Sequence, residues 1–396
     1  MQFVDLKKLY AHFREETEEA LLRVAASGRY IGGEEVDAFA RELESWMGVR
    51  HVIPVANGTD ALQVALMASG LQPGDEVIVP AFTYVASAEA IALLGLVPVM
   101  ADVDEDTFCL TPRQVEEALT PRAKAVIPVH LFGQAAPMDA LLKQARAEGL
   151  FVIEDNAQAM GASYLAESPA AFPEKRGTFA EKSRHFSSQP PHEVKTGTES
   201  PFGCTSFFPT KNLACMGDGG AITTQDDALA ERALRIARHG QSQRYRHECI
   251  GCNSRLDALQ AAVLRVRLRH LDFFIRRRRE IARRYGEELE GLAGIHLPRI
   301  APETPGHTFN QYTLRIEGGA ARRDALAAHL KAEGVPTMIY YPMPLHRQPA
   351  FARYVPPRPL PVSERLCGEV LSLPIHPLLG DDEQECVIRA IRRWRG

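Results

Sequence analysis

Long apolar runs are missing from this sequence. None approaches the roughly 20 residues that a bilayer-spanning helix needs, so no membrane insertion is expected. The opening Met1-Gln-Phe-Val-Asp-Leu-Lys7 has no apolar core and no small-residue cleavage site, so a secretory signal is not expected either. A large excess of one charge sign is missing too. The formal net charge of -4 leaves no general nucleic-acid footprint, and the basic run Arg276 to Arg279 sits in a charged helical stretch with Glu280. No Gly-x-x-x-x-Gly-Lys-Ser/Thr motif occurs, which excludes a P-loop nucleotide site. Seven cysteines, an odd number in a long chain, point to reduced thiols in a cytoplasmic protein. Cys249-Ile-Gly-Cys252 has redox or zinc spacing but lacks a second pair or spaced histidines, so no metal is expected.

What is present is an ordinary globular composition, 45% hydrophobic and 24% charged over 396 residues, enough for two or three domains. Glu34 to Met47 has the apolar spacing of an amphipathic helix. Short apolar runs follow at Val52–Val55, Glu76–Pro80, Val97–Ala101, Ala125–Val129, Phe151–Glu154, Thr205–Phe208 and Ala221–Thr224. Helical stretches at Tyr84–Leu94, Pro112–Leu119 and Pro137–Glu148 separate several of them. Continuous apolar strands alternating with helices predict an α/β fold with a mainly parallel sheet covered on both faces. Ligands of such sheets bind at the carboxyl ends of the strands. Arg255 to about Glu290 reads as one or two long helices. The remainder, with Gln311–Ile316, Arg322–Glu333, Thr337–Tyr341 and Gln384–Trp394, reads as a small α+β domain. Residues 165–202, rich in Pro, Ser, Lys, Glu and His, read as a long polar loop inserted between two strands that end in candidate site residues.

Two of those strands end in chemistry. Phe151-Val-Ile-Glu-Asp155 closes on a carboxylate, and Ser206-Phe-Phe-Pro-Thr-Lys211 closes on a lysine followed by a glycine-rich turn. A lysine can form a Schiff base and a carboxylate can keep the pyridinium nitrogen of pyridoxal phosphate protonated; a solvated loop lysine is the competing reading. Gly58-Thr59 opens a helix and offers backbone N–H groups, a hydroxyl and a favourable dipole to a phosphate, although the same residues serve as an ordinary cap. Tyr84 supplies an aromatic at a strand end, suited to stacking on a flat ring or to core packing. Gln158 is in reach of a ring hydroxyl, and Ser206 adds a hydroxyl toward the phosphate. His130 could be a general base, although most histidines are not catalytic; Asp102-Val-Asp104 reads as a loop cap rather than a metal site.

In this order the runs Asn57-Gly-Thr-Asp-Ala-Leu62, Pro80-Ala-Phe-Thr-Tyr84, Glu154-Asp155 with Gln158, Ser206 through Lys211, Gly217-Asp-Gly-Gly220, Asn253-Ser-Arg-Leu-Asp257 and Tyr341-Pro-Met-Pro-Leu-His346 carry a resemblance. From about residue 2 to the end, the chain resembles the DegT-type family of pyridoxal-phosphate nucleotide-sugar aminotransferases. The resemblance implies fold type I, with a large cofactor-binding α/β domain over 1–250 and a smaller α+β domain over 251–396. It places the Schiff-base lysine on Lys211, the pyridine-nitrogen carboxylate on Asp155, ring stacking on Tyr84 and the ring-hydroxyl partner on Gln158. Phosphate contacts fall on Gly58, Thr59 and Ser206, and Asn253 matches a residue donated across a homodimer interface. Pyridoxamine phosphate is the amino-carrying form of the cofactor, glutamate the usual donor.

Within the family, Ala237-Arg-His-Gly-Gln241, Gly334-Val-Pro-Thr337 and Leu373-Pro-Ile-His-Pro377 look most like enzymes that aminate carbon 3 of a UDP-linked 2-acetamido-3-keto-hexuronic acid, used in polysaccharide or lipopolysaccharide biosynthesis. On that resemblance Arg255, Tyr340, Tyr341 and His346 face the sugar. Arg255 is the candidate for its carboxylate, because a guanidinium binds one bidentately. Tyr340 stands where the family commonly has histidine. Another UDP- or dTDP-linked keto sugar is the alternative substrate. Further from this reading lies a non-catalytic cofactor-binding regulator; Lys211 itself argues against the family's dehydratases, in which histidine replaces it.

Overall fold

The computed structural model describes residues 1–167 and 191–396. Its centre is a seven-stranded sheet. The strands in chain order are β1 (His51–Val55), β2 (Glu76–Pro80), β3 (Val97–Ala101), β4 (Ala123–Val126) and β5 (Phe151–Asp155), then, after a separate hairpin of β6 (Ser163–Ala166) and β7 (His192–Lys195), β8 (Phe202–Ser206) and β9 (Gly220–Thr224). Across the sheet they run β1-β9-β8-β5-β4-β2-β3. All neighbours pair in parallel except β9, which is antiparallel to both β1 and β8. Every residue of β2 and β9 is buried, as expected of strands covered on both faces. Along β2, Val77 and Val79 pack into one apolar cluster and Ile78 into another, so the sheet separates two cores. Helix Gly58–Ala68 is buried around most of its circumference, because it is wedged between the sheet and helices Ala86–Leu93 and Asp227–Ala237.

The stretch 165–202 is not one polar loop. β6 pairs with β7 in register from Ser163↔Lys195 to Ala166↔His192, and Thr196, Thr198 and Ser200 are buried on the way into β8. Residues 168–190 of the expected loop lie outside the described residues. The polar sequence of β7, His192-Glu-Val-Lys195, hid the strand: only Val194 turns inward. β8 starts three residues earlier than the aromatic run suggested, since Phe208 is exposed where the chain turns toward Lys211.

After helix Asp227–Ala237 comes a short hairpin, β10 (Gln241–Gln243) with β11 (Arg246–His247). Two consecutive helices follow, Ala258–Arg269 and Leu271–Leu289. The rest builds an antiparallel sheet, β12 (Ile295–His296), β13 (Tyr312–Ile316) and β14 (Val370–Leu373), backed by helices Gly319–Ala332 and Asp381–Arg393 around a core of its own. The stretch Thr337–Tyr341 of the expected α+β domain contributes only an isolated bridge, Met338↔Ser372. Pro336 and Pro342 flank it and remove the amides a longer ladder needs.

Two side chains join this region to its surroundings. Arg278 is buried and donates from Nη1 to the carbonyls of Phe309, Asn310 and Ile375 at 3.2, 3.3 and 3.0 Å. Asp102, just past β3, accepts from the Val362 and Ser363 amides at 2.9 and 2.7 Å and from Ser363 Oγ at 2.6 Å. It thereby caps helix Pro361–Glu369 from far away in sequence. Asp104 caps its own turn through the amides of Asp106 and Thr107. Among the described residues no helix is long and apolar enough to cross a membrane.

Candidate active site

Four turns meet at the carboxyl edge of the parallel strands: those after β1, β2, β5 and β8. Between β8 and its antiparallel neighbour β9 no crossover helix is needed. The connection is a loop over residues 207–219 that stays at this edge, and it carries Lys211. Burial pulls the Lys211 ammonium down to about 8, an effect the nearby Asp155 charge partly offsets. A tenth or so of such a lysine is neutral and nucleophilic at pH 7, against less than about a thousandth of an ordinary one.

Asp155 ends β5, is 5% exposed, and has both oxygens engaged. Oδ1 accepts from the Ala157 amide at 3.1 Å and Oδ2 from Ser87 Oγ at 2.7 Å. Gln158, buried on the following turn, accepts from the Phe132 amide at 2.8 Å and donates to the Tyr341 hydroxyl at 3.0 Å. Burial pushes the Tyr341 hydroxyl above the usual phenol range, so it stays protonated. Tyr84 is 57% exposed, with its ring 6.2 Å from that of Tyr341. Gly58 leads its helix against the end of β8. A Cβ there would lie 2.6 Å from Ser206 Cβ, so only glycine permits this approach. Asn57 caps the helix through the Asp60 amide at 2.8 Å, while first-turn amides such as those of Gly58 and Thr59 have no acceptor within their helix.

Glu154, one residue before Asp155, faces the other side of β5. Its carboxylate meets His130 Nε2 at 2.8 Å and accepts from the amides of Gly197 and Ser200 at 2.7 and 3.3 Å. Burial opposes the Glu154 charge, but these donors outweigh it and hold the carboxyl below its usual range. The Ala136 amide donates to His130 Nδ1 at 3.0 Å, which leaves the imidazole proton on Nε2 toward Glu154.

The structure thus gathers Lys211, Asp155, Gln158, Tyr84 and Tyr341 on one edge, with Gly58, Thr59 and Ser206 beside them. Asn253 and Arg255 lie differently. Residues 253–258 alternate exposed and buried, with Ser254, Leu256 and Ala258 turned inward and Asn253, Arg255 and Asp257 outward. Ser254 Oγ accepts from the Ala56 amide at 3.0 Å, which sets this segment beside the Gly58 turn. Tyr340 is partly buried against Phe3, their ring centroids 6.3 Å apart. His346 sits next to Leu345, whose amide donates to Ala81 O at 2.9 Å, but its Nε2 is held by Glu364 at 2.9 Å. Ser87 and Thr83 escaped the sequence reading. Their only signal was a spacing of four where a helix begins, which sets two hydroxyls on one face.

A lysine with a depressed ammonium, a buried carboxylate beside it, a glutamine, an exposed ring and a glycine-tight helix start fit a flat, phosphorylated pyridine aldehyde. Comparison with known proteins agrees. Residues 12–392 match the model of the DegT/DnrJ/EryC1/StrS aminotransferase family. A dTDP-3-amino-3,4,6-trideoxy-alpha-D-glucose transaminase of Streptomyces venezuelae is 44% identical over 99% of this chain and 95% of its own. A UDP-2-acetamido-2-deoxy-3-oxo-D-glucuronate aminotransferase of Pseudomonas aeruginosa is 43% identical over 96% of each chain. Among solved structures, S. venezuelae DesV in complex with a ketimine intermediate superposes with a TM-score of 0.89 at 44% identity, covering 99% of this chain and 98% of that one. A Bacillus subtilis structure with bound cofactor PMP gives 0.86 at 28% identity over 99% and 84%. The chain belongs to the DegT/DnrJ/EryC1/StrS aminotransferase family and is a pyridoxal phosphate-dependent aminotransferase.

Proposed function

We propose that this nucleotide-sugar aminotransferase moves an amino group from glutamate to carbon 3 of a UDP-linked 2-acetamido-3-keto-hexuronic acid, in the cytoplasm and for polysaccharide or lipopolysaccharide synthesis. Pyridoxal phosphate, when bound, supplies the electron sink and carries the amino group between substrates. The chain's own residues do the rest. The Lys211 amine would take a proton from the donor's α-carbon and pass it to the cofactor's aldehyde carbon, and it would run the same transfer in reverse for the keto sugar. Asp155 accepts from the ring N–H, Tyr84 stacks on the ring and Gln158 meets its hydroxyl. Gly58, Thr59 and Ser206 take the phosphate. Asn253 and Arg255 point outward from the edge of the Gly58 turn, which suits delivery to a second subunit, so the working form is a homodimer with shared sites. Tyr340, Tyr341 and His346 border the sugar.

The observation that carries the chemistry is the pairing of Lys211, with its ammonium lowered to about 8, and Asp155. Support for the uronate comes from the 43% identity to the Pseudomonas enzyme and from Arg255 as a bidentate carboxylate partner. A dTDP-linked keto sugar is the second reading, favoured by the 44% identity to the Streptomyces transaminase and by Tyr340, which carries no positive charge toward an acid. A panel of UDP- and dTDP-keto sugars assayed with glutamate separates the two. On the uronate, Arg255→Ala is expected to lower catalytic efficiency about thirtyfold, the loss of roughly 2 kcal/mol of charge-assisted binding. The matched neutral hexose should change little. Equal losses on both sugars sink the uronate assignment.

A further inference from the structure

One buried chain of hydroxyls ends on the carboxylate that the proposed site needs most. Ser87 is 0% exposed, Thr83 3% and Asp155 5%. Ser87 Oγ lies 2.7 Å from Asp155 Oδ2, and Thr83 Oγ1 lies 3.3 Å from Ser87 Oγ. An ionised carboxylate only accepts, so the single Ser87 proton goes to Asp155. The Thr83–Ser87 bond then has one possible direction: Thr83 donates to Ser87. Such a polarised pair is stronger than two separate bonds in a dry environment. Ala157 holds the other carboxylate oxygen. The two donors therefore fix the plane of the carboxylate and leave a lone pair free for a ring N–H.

The same turn also carries Tyr84. The Ser87 amide donates to Tyr84 O at 3.3 Å, so the stacking ring and the hydroxyl pair belong to one rigid turn between β2 and helix Ala86–Leu93. We propose that Thr83 and Ser87 are positioning residues: they hold Asp155 against the ring nitrogen at a set distance from the plane that Tyr84 defines. This rests on the assignment of Asp155 and Tyr84 above. It adds a requirement that the assignment lacks, namely that the donor pair, and not the carboxylate alone, sets how tightly the cofactor sits and how it is polarised.

The test uses full-length Ser87→Ala and the isosteric Thr83→Val beside the wild type. Four quantities are measured: apoprotein melting, the pyridoxal phosphate dissociation constant, the single-turnover rate with glutamate, and the pH midpoint of the bound cofactor's visible absorbance. Removing a donor from a buried carboxylate is expected to weaken cofactor binding and slow the glutamate step about tenfold each in Ser87→Ala, and about threefold in Thr83→Val. The absorbance midpoint should move upward in both, because a less neutralised carboxylate favours protonation of groups beside it. Midpoints unchanged, with affinities and rates within about twofold of wild type, would overturn the proposal even if melting falls. If Ser87→Ala does not fold, Thr83→Val alone decides. Should Lys211→Ala leave the wild-type absorbance unaltered, the site assignment fails instead of the relay.

Discussion

The carboxyl edge of the seven-stranded sheet and the region around β12–β14 both bury ionisable groups, and they treat them in opposite ways. At the sheet edge the buried charges face partners. Glu154 meets His130 and two amides, Asp155 meets Ser87 and Ala157, and Lys211 feels Asp155. Around β12–β14, Arg278 is surrounded by carbonyls and burial pushes its guanidinium down to about 10. His307 stacks on Phe309 with centroids 3.9 Å apart and is driven down to about 3 by burial, with Arg279 adding to it. His376 falls to about 4 for the same first reason, helped by Arg278. One region sets its buried charges against charged or donating partners. In the other, ionisable rings are held neutral as packing, which ties its integrity to pH.

The largest break in this contrast should come from Lys211→Ala. Turnover is expected to fall by at least about a thousandfold, since no other amine replaces the nucleophile. Melting of the apoprotein should stay within a few degrees, because a charge poised for chemistry contributes little to holding the fold. Appreciable transamination by the folded variant would remove Lys211 from its role. Glu154→Ala comes next. It strands His130 and the Gly197 and Ser200 amides, and losing one member of a buried set of this kind costs about 3–5 kcal/mol. Denaturant unfolding measures it; a loss under about 1 kcal/mol would show that the sheet edge does not depend on paired charge.

The smallest effect sharpens the other side. His307 and His376 have folded values below the ordinary 6.5, so the unfolded chain takes up protons first as pH drops. Their influence on stability is absent above about pH 6.5. Between there and about pH 4 each removes up to roughly 1.4 kcal/mol per pH unit. Unfolding measured at pH 7, 5.5 and 4.5 should show this slope, shallower in His307→Gln. Identical slopes in variant and wild type would mean that His307 is already protonated in the fold.

Much of the framework was legible because continuous apolar runs bounded by Gly and Pro leave little choice. β2, β3 and helix Glu34–Met47 have the limits that the sequence pattern suggests. Lys211 and Asp155 stood out because charged residues at the ends of buried runs are conspicuous. What stayed hidden depends on partners distant in the chain. β7 looks polar because only Val194 faces inward, and Phe207 with Phe208 looks like strand where the chain is already turning. Ser87 and Thr83 are common helix-start residues until a carboxylate 68 positions away is folded against them. The exposed alternation at 253–258 cannot be read from composition, and Thr337–Tyr341 has strand-like residues whose flanking prolines deny them a ladder.

Asp102 has a consequence for the order in which the molecule forms. Helix Pro361–Glu369 begins after Leu360, which offers no side-chain cap, and its first amides are answered by a carboxylate 260 and 261 residues earlier. Nine residues are too few to hold a helix in water by themselves. The cap therefore forms only once β3 is in place to present Asp102, which ties the start of this helix to a strand from the first third of the chain. Everything from Asp102 to Ser363 must leave the ribosome before that joint can set.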